Sequence, residues 1–352
     1  MSVGWAWSAV IDWLTLRLFD TDVRVDAGRV MSIDADGVVE WQTEKRFEVQ
    51  GSHSAVVSLR SVPSHLSADL MLEVSGNPAK WFQGHNVFGT DDLQGLVVPF
   101  ALSVIARAGL VLSGRGRILL EDGTTQLTRI DGTQSWDFGN ERRAIAAVQA
   151  ISELGHLKHR GRGSLLAEGT CYFGKGSRRL SGKVYAKGLE LRAHQLPPGL
   201  PMRDELHQLA AGLVRFEWTM RSMWLRDRGL SMVKDWATLG VTAEGLHASI
   251  MADLNLSDAT MREPAQGEHL APRMRIALQA WEGGADLRAI LPKHTFYRYR
   301  RAILPLGIDI AVKRPSEASN VVRLVPVLTG KPFEVPDWAR GTTLYFEPRQ
   351  AA

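Results

Sequence analysis

Alternating hydrophobic and polar positions predict seven β-strands in the first two thirds of the chain. The clearest runs from Val214 to Met220, where Val214, Phe216 and Trp218 share one side. The other strands are predicted at Ile11 to Leu18, Ala55 to Leu59, Leu70 to Ser75, Leu127 to Trp136, Thr170 to Phe173 and Arg179 to Ala186. The last two of these are separated by Gly174-Lys175-Gly176, which predicts a β-hairpin.

Apolar positions at three- and four-residue spacing predict helices between and after these strands. They fall at Leu96 to Leu110, Glu141 to Leu154, Arg203 to Ala211 and Leu291 to Leu304. Beyond Leu230 the pattern becomes helical and poor in strands. We therefore expect an α+β fold, with an antiparallel sheet in residues 1–230 and a smaller, mainly helical domain in residues 231–352.

The composition is that of a soluble globular protein, with 352 residues, 45% hydrophobic and 23% charged. The formal net charge is +4, but the positive charge is concentrated. Between His156 and Gly188 there are eight lysines or arginines against one acid, Glu168. This window, which includes Arg178 and Arg179, is compatible with a nucleic-acid surface or with a solvated basic loop.

The cysteine count and the hydropathy pattern indicate in which cellular compartment the protein is expected. Cys171 is the only cysteine, which excludes an intramolecular disulfide and fits a reducing cytoplasm. The apolar run from Leu96 to Leu112 contains Arg107, and a charge in mid-bilayer costs roughly 2.5–3.5 kcal/mol. We expect a core helix there and no membrane partner.

One predicted strand carries a tyrosine between two lysines. On Arg179 to Ala186 and its continuation, Lys183, Tyr185 and Lys187 alternate with apolar residues. Nearby ammonium groups would lower the pKa of a phenol and give a phosphate a place to bind, which is suited to attack on a phosphodiester. The alternative is an exposed tyrosine between solubilising lysines.

Two further strands offer a cation and a carboxylate on alternate positions. These are Arg129 with Asp131, and Arg215 with Glu217. If the strands are neighbours, the carboxylates could hold Mg²⁺ or Mn²⁺; taken singly, each pair is typical of a surface ion pair. His85 could be a ligand or a structural hydrogen bonder. No Walker A loop, Rossmann glycine fingerprint, HExxH zinc helix or nucleophile elbow is present.

A long segment is similar to a known family. It reads Asn77-Pro78-Ala79-Lys80-Trp81-Phe82-Gln83-Gly84-His85-Asn86-Val87-Phe88-Gly89-Thr90-Asp91-Asp92-Leu93 and resembles the signature of the filamentous-phage gene II replication initiators. Shorter segments agree in the same order, at Ile11 to Leu18, Thr124 to Asp131, Tyr185 to Leu191, Gly212 to Glu217 and Pro336 to Trp338.

The resemblance implies a rolling-circle initiator with an HUH-like endonuclease domain. Such a protein nicks the viral plus strand at the origin through a tyrosine and later rejoins it. The nucleophile then corresponds to Tyr185, and Asp131 and Glu217 become the metal candidates. The HUH pattern of two histidines around a hydrophobic residue is missing, so His85 or Asp12 would have to complete a Mg²⁺ or Mn²⁺ site.

The expected activity is therefore strand nicking and joining by tyrosine transesterification. Lys183, Lys187, Arg129 and Arg215 would hold phosphate oxygens. The predicted helix from Leu291 to Leu304 would contact duplex DNA through its arginines, which are Arg298, Arg300 and Arg301. Two alternatives stay open: an origin-binding regulator without catalysis, and a metal-dependent hydrolytic nuclease.

The resemblance also implies the partners and the setting. The partners are supercoiled, double-stranded origin DNA and, in the host bacterial cytoplasm, a helicase and a DNA polymerase. The sequence leaves open whether the chain is encoded by a phage or a plasmid.

Overall fold

A computed structural model describes residues 10–51, 53, 55–64, 70–256, 260–262, 270–282, 284–306, 308–312, 321–328 and 333–348. The described strands are β1 Val10–Leu18, β2 Arg29–Ile33, β3 Val39–Glu44, β4 Phe47–Gln50, β5 Val56–Pro63, β6 Leu70–Gly76, β7 Thr125–Asp137, β8 His156–Leu157, β9 Gly161–Arg162, β10 Ser164–Ala167, β11 Thr170–Phe173, β12 Leu180–Ala186, β13 Leu213–Arg221, β14 Leu254–Asn255, β15 Thr260–Arg262 and β16 Val321–Arg323.

The helices alternate with and follow these strands. They are α1 Pro78–Gln83, α2 Leu93–Arg107, α3 Gly114–Glu121, α4 Glu141–Leu154, α5 Lys187–Ala193, α6 Arg203–Ala211, α7 Ser222–Arg226, α8 Val233–Thr238, α9 Ala243–Ala252, α10 Pro272–Glu282, α11 Leu287–Ile290, α12 Lys293–Ile303 and α13 Leu324–Leu328. Short 3₁₀ helices span Leu304–Leu306 and Asp337–Ala339.

The central sheet has the order β10-β11-β12-β13-β7-β1-β6-β5-β4 in the described part of the chain, and every pairing in it is antiparallel. The predicted α+β class with an antiparallel sheet is confirmed. The predicted hairpin is also present, because β11 pairs with β12. Strands β13, β7 and β1, which are far apart in the sequence, lie side by side at its centre.

The two faces of the sheet differ in chemistry. One face carries the core leucines, valines and aromatics and is covered by helices, among them α4 on β11 to β13 and α7 to α9 on β7. The other face, which we call the polar face, carries Trp13, Thr15 and Arg17 of β1 and the residues registered with them on neighbouring strands. Period-two alternation along each strand produces this division.

The hydrophobic core does not end at residue 230. Trp236 and Ile250 belong to the same buried cluster as the sheet, and so does Leu324. A separate cluster, which includes Leu278, Phe296 and Ile303, holds α10 to α12 together. The boundary predicted at 230/231 therefore does not coincide with a break in packing, although the region after it is mainly helical, as predicted.

The apolar run around Leu96 forms a core helix, α2. Its Leu96, Val97, Phe100 and Val104 are buried in the main cluster. Among the described residues, no helix is long and apolar enough to cross a bilayer.

Candidate active site

Four adjacent strands bring the predicted site residues to one end of the polar face. Lys183 of β12 lies opposite Glu217 of β13, and Asp131 of β7 lies between Thr219 of β13 and Trp13 of β1. The convergence that the sequence left open is thus present in the structure. It arises from the strand order, because β7 joins β13 to β1.

Tyr185 is buried at this centre. The residue is 2% exposed, and its hydroxyl donates a hydrogen bond to Glu217 Oε2 at 3.2 Å. Burial, followed by the charge of Glu217, raises the pKa of Tyr185 well above its usual value. The expectation that two lysines lower this pKa is wrong. Lys183 Nζ lies 4.0 Å from the ring centroid, over the ring, and Lys187 is engaged elsewhere.

Three carboxylates, Asp12, Asp131 and Glu217, interact with one another at this centre. Burial, together with the charges of Asp12 and Asp131, raises the pKa of Glu217 to about 7. Burial also raises the pKa of Asp131, against the opposing effect of Arg129. Arg129 donates to both oxygens of Asp131, from Nε at 2.8 Å and from Nη2 at 2.5 Å. A carboxyl that titrates near pH 7 is suited to accept a proton from a neighbouring phenol.

Lys187 does not continue the strand, as the sequence predicted, but begins helix α5. It is fully buried, and its Nζ donates to Asn86 Oδ1 at 2.8 Å and to Glu190 Oε2 at 2.6 Å. Burial and the charge of Arg215 lower the pKa of Lys187 to about 8. For Glu190 burial would raise the pKa, but Lys187 outweighs it and the value is about 2. The charge of Lys187 is thus compensated by Glu190, and its ammonium group is not free to contact a phosphate.

Two asparagines on either side of α1, Asn77 before it and Asn86 in the loop after it, are residues that the sequence reasoning missed. Asn86 Nδ2 donates to Asp12 Oδ1 at 2.7 Å, and Asn77 Nδ2 donates to the same oxygen at 3.0 Å. Asn86 therefore bridges Asp12 to Lys187. The signal that could have found these amides was Asp12 itself, a carboxylate that by alternation shares the leucine side of β1 and requires a buried partner.

Arg215 is placed inward and does not face DNA. It is 1% exposed, its Nε donates to Ser135 Oγ at 3.0 Å, and its two terminal nitrogens donate to the carbonyls of Asn86 and Val87. The predicted role in holding phosphate is not supported, because each nitrogen of the guanidinium has a protein acceptor. Arg215 instead fixes the loop against β13.

His85 is also a structural residue in this arrangement. The amide of Val87 donates to Nδ1 at 3.2 Å, so Nδ1 must accept; Nε2 lies 2.9 Å from the carbonyl of Leu344, so Nε2 must carry the proton. Burial lowers the pKa of His85 to about 3. With both ring nitrogens engaged, His85 has no lone pair for a cation, and its predicted metal role is not supported.

A C-terminal segment, residues 333–348, packs onto this loop. Leu344 accepts the bond from His85, the amide of Phe346 donates to Gln83 Oε1 at 3.1 Å, and Phe346 stacks on Phe82 with ring centroids 4.1 Å apart. Leu344 shares a buried cluster with Val87. The loop that positions Asp12 and Lys187 is therefore held from one side by Arg215 and from the other by the C-terminal segment.

The predicted metal site is not assembled in this arrangement. Among the described residues, no group of three or more His, Cys, Asp or Glu side chains could hold a metal ion. Both oxygens of Asp131 accept from Arg129, and Asp12 Oδ1 accepts from two amides. The residues present do not fit a complete cation site, and no reaction step below depends on one.

The other predicted DNA contacts lie outside this centre. Arg178 is exposed in the turn between β11 and β12, and Arg179 forms an ion pair with Asp227. On α12, Arg298 and Arg301 are exposed, with Arg298 5.4 Å from the ring centroid of Tyr299. The third arginine of this helix, Arg300, donates to both oxygens of Asp309 at 2.6 Å.

Fold and site together define a class: an α+β protein whose antiparallel sheet holds a tyrosine against a carboxylate, among further acids and cations. The family model for the N-terminal part of the phage replication-associated protein of gene II matches residues 10–239, and the model for its C-terminal part matches residues 271–347. The chain belongs to this family of gene II replication-associated proteins, which confirms the resemblance to the gene II initiators.

Two relatives from phages agree with this assignment. The replication-associated protein of Enterobacteria phage I2-2 is 33% identical over 93% of this chain and 95% of its own length. The replication-associated protein of Enterobacteria phage M13 is 24% identical over 83% of this chain and 82% of its own length. A solved rolling-circle replication initiator from Geobacillus stearothermophilus overlaps 61% of this chain and 75% of its own, at 13% identity and a TM-score of 0.27.

Proposed function

We propose that this protein is a rolling-circle replication initiator that nicks the plus strand of its origin through Tyr185 and later rejoins the displaced strand. The observation that carries the proposal is the hydrogen bond from the Tyr185 hydroxyl to Glu217 Oε2, 3.2 Å long, in a buried site. Membership of the gene II replication-associated family supports the replication role.

This hydrogen bond places a proton acceptor, Glu217, beside the hydroxyl of the proposed nucleophile, Tyr185. Glu217 has a pKa of about 7, so near neutral pH a substantial fraction is ionised and can take the phenolic proton. The phenolic oxygen bonds to phosphorus, and the bond from phosphorus to the 3′ oxygen breaks. The leaving 3′ oxygen takes up a proton from water that enters with the DNA, because Lys187 is fully buried and its Nζ is held by Asn86 and Glu190. Rejoining is the reverse step, and it needs no ATP because the phosphodiester energy is kept in the tyrosine link.

Charge on the phosphate is met by cations at the rim of the centre. Lys183 lies over the tyrosine ring, and Arg129 is only partly buried while it holds Asp131. Both can reach toward an incoming phosphate, whereas Arg215 cannot. Because Tyr185 is 2% exposed, the DNA must displace covering side chains before its phosphorus meets the hydroxyl.

The test is a nicking assay on supercoiled origin DNA with Mg²⁺, analysed with and without protease treatment. Tyr185→Phe should lose both nicking and the covalent adduct, because only the nucleophilic oxygen is removed and the ring still packs. The matched control is Tyr172→Phe on β11, the same substitution at the residue paired with Lys183, which should nick normally.

The other outcomes separate the alternatives. Nicks without any adduct in the wild type would show a hydrolytic nuclease, and tight origin binding without nicks would show a non-catalytic regulator. Wild-type adduct formation by Tyr185→Phe would overturn the assignment of the nucleophile. Omitting Mg²⁺ and adding EDTA in the same assay tests the Mg²⁺ or Mn²⁺ requirement, which stays a prediction from the family resemblance, as do the host helicase and polymerase.

A further inference from the structure

We infer that a second nucleic-acid subsite lies on the polar face away from Tyr185, in the groove between the β2–β3 hairpin and strands β1, β5 and β6. The groove, of about 430 Å³, is lined by Arg17, Arg29 and Arg60 together with Gln42, Thr43 and Glu44 of the hairpin, and Glu44 forms an ion pair with Arg29 at 3.3 Å. We propose that it binds the backbone of a single DNA strand that continues from the tyrosine. This inference rests on the proposed function and adds to it the path of the strand.

One carboxylate serves three arginines at the base of this groove. Glu73 is 2% exposed and lies opposite Arg17 on one side and Arg60 on the other. Arg60 Nε donates to Glu73 Oε1 at 2.7 Å, Arg17 Nε donates to Oε2 at 3.1 Å, and Arg46 Nη2 lies 3.5 Å from Oε1. Three cations against one anion leave two positive charges without a carboxylate in this cluster.

The hydrogen bonds to Glu73 orient the uncompensated positive charge of these arginines toward the groove. Burial alone would raise the pKa of Glu73, but the bonds from Arg60 and Arg17 lower it, so the carboxylate is ionised and holds both guanidinium groups by Nε. Within the described residues, no hydrogen bond engages the terminal nitrogens of Arg17 or Arg60. A guanidinium held at Nε presents its terminal nitrogens in a fixed orientation, which suits phosphate oxygens.

The groove is continuous with the tyrosine centre. Trp13, Thr15 and Arg17 alternate along β1 on the polar face, and Trp13 lies opposite Asp131. Arg129 covers the Trp13 ring, with its guanidinium carbon 5.1 Å from the ring centroid. By strand register Tyr185 lies level with Ser135 of β7 and Arg17 lies level with Gln126, about 30 Å apart along the strand direction, so a DNA strand that joins the two sites crosses the polar face over several nucleotides.

The hairpin favours a single strand over a duplex as the occupant. Its exposed side chains include large apolar ones, namely Val30, Met31, Ile33, Val38, Val39 and Trp41. Unpaired bases have apolar faces that bind such surfaces while their phosphates follow a positive groove, whereas the bases of a duplex are already stacked. An exposed apolar hairpin beside an arginine groove therefore matches single-stranded DNA.

The test measures binding of dye-labelled oligo(dT) of increasing length against salt concentration, by fluorescence anisotropy, in a Tyr185→Phe background so that no adduct forms. Arg17→Gln with Arg60→Gln should lower the slope of log affinity against log salt by about 1.4, at roughly 0.7 for each phosphate contact on a single strand. The matched control is Arg117→Gln on α3, which removes an exposed arginine paired with Glu121 and should leave the slope unchanged.

A second variant, Glu73→Gln, is expected to change the binding affinity in the opposite direction. Glu73→Gln should steepen the salt dependence and tighten binding, although it loosens the cluster and lowers the melting temperature. A purely structural cluster predicts weaker or unchanged binding in both variants. The inference is overturned if the folded double variant keeps the wild-type slope, if Glu73→Gln fails to tighten binding, or if the effect appears only with duplex DNA. Adduct formation by the wild type is measured separately, so failure of the groove and failure of the nucleophile are distinguishable.

Discussion

Two arginine-bearing regions, the tyrosine end of the sheet and helix α12, use the same side chain in opposite ways. At the tyrosine end, Arg215 is 1% exposed and each of its nitrogens has a protein acceptor. On α12, Arg298 and Arg301 point to solvent, beside a groove of about 490 Å³. The buried arginine positions a loop, and the exposed ones are free to meet phosphate.

This difference predicts that the buried arginine affects the stability of the fold and that the exposed arginines affect the binding of DNA. Removing either a buried cation or its acceptors strongly lowers the free energy of unfolding, because the desolvation of the group left behind is no longer compensated. An exposed cation contributes little to the fold, and its effect appears in the salt dependence of binding. The experiments below either break this contrast or make it quantitative.

The largest effect is expected at the buried arginine. Arg215→Met should lower the free energy of unfolding by roughly 3–5 kcal/mol, because the carbonyls of Asn86 and Val87 lose their donors. Urea unfolding followed by circular dichroism measures this. Arg301→Met on α12 is the control and should change stability by less than about 0.5 kcal/mol. Equal losses in the two variants would refute the contrast.

Glu217 should make stability and nicking respond to pH in opposite directions. Its folded pKa of about 7 lies above its ordinary value of 4.5, so the folded state binds the proton more tightly. The wild type should therefore lose stability as pH rises from about 4.5 to 7. Nicking should rise over the same range as Glu217 becomes able to accept a proton.

The control for this prediction is Glu217→Gln, which carries no titrating proton. Relative to the wild type, its free energy of unfolding should improve by on the order of 2 kcal/mol between pH 5 and pH 8. Thermal and urea unfolding at both pH values measure the difference. A pH-independent difference would show that Glu217 keeps an ordinary pKa in the folded protein.

On α12 the expected effect is on duplex binding. Replacing Arg298 and Arg301 by Ala should lower the salt slope of origin-duplex affinity by up to about 1.8, at roughly 0.9 for each phosphate contact. Anisotropy titrations at several salt concentrations measure it. Nicking of a short single-stranded origin oligonucleotide should survive, and an unchanged slope would show that the helix does not touch DNA.

The smallest effect is expected from the third arginine of the same helix. Arg300 donates to both oxygens of Asp309, so its charge is already compensated. Arg300→Ala should change the duplex salt slope by clearly less than either Arg298→Ala or Arg301→Ala. If the three single variants behave alike, pairing with Asp309 does not matter for DNA binding.

Local pattern predicted the strands well. The expected strands at Arg179 to Ala186 and Val214 to Met220 are observed at Leu180–Ala186 and Leu213–Arg221. Alternation reports one strand and its immediate ends, which is why these predictions were accurate. Strict alternation would also put Asp12 on the leucine side of β1, where a carboxylate needs a partner, and Asn77 and Asn86 provide that partner.

The chemistry of the site depended on contacts that local pattern does not contain. Lys187 looked like the next exposed position of a strand, but the chain turns into α5 there and buries it. Its acceptor Asn86 is 101 residues away. The high pKa of Tyr185 follows from burial beneath neighbouring elements, and its sign could be known only once those elements were placed.

The contact between His85 and Leu344 has a consequence for biosynthesis. The two residues are 259 positions apart, so at about 5–20 residues per second the loop emerges from the ribosome roughly 13–50 s before the segment that clasps it. Arg215, the other support, lies 129 residues beyond Asn86, so only in about the second half of that interval does the nascent chain have its sheet, its tyrosine and one of the two supports of the loop. The candidate active site is therefore completed late, after the sheet has been translated, and a growing chain is expected to nick poorly.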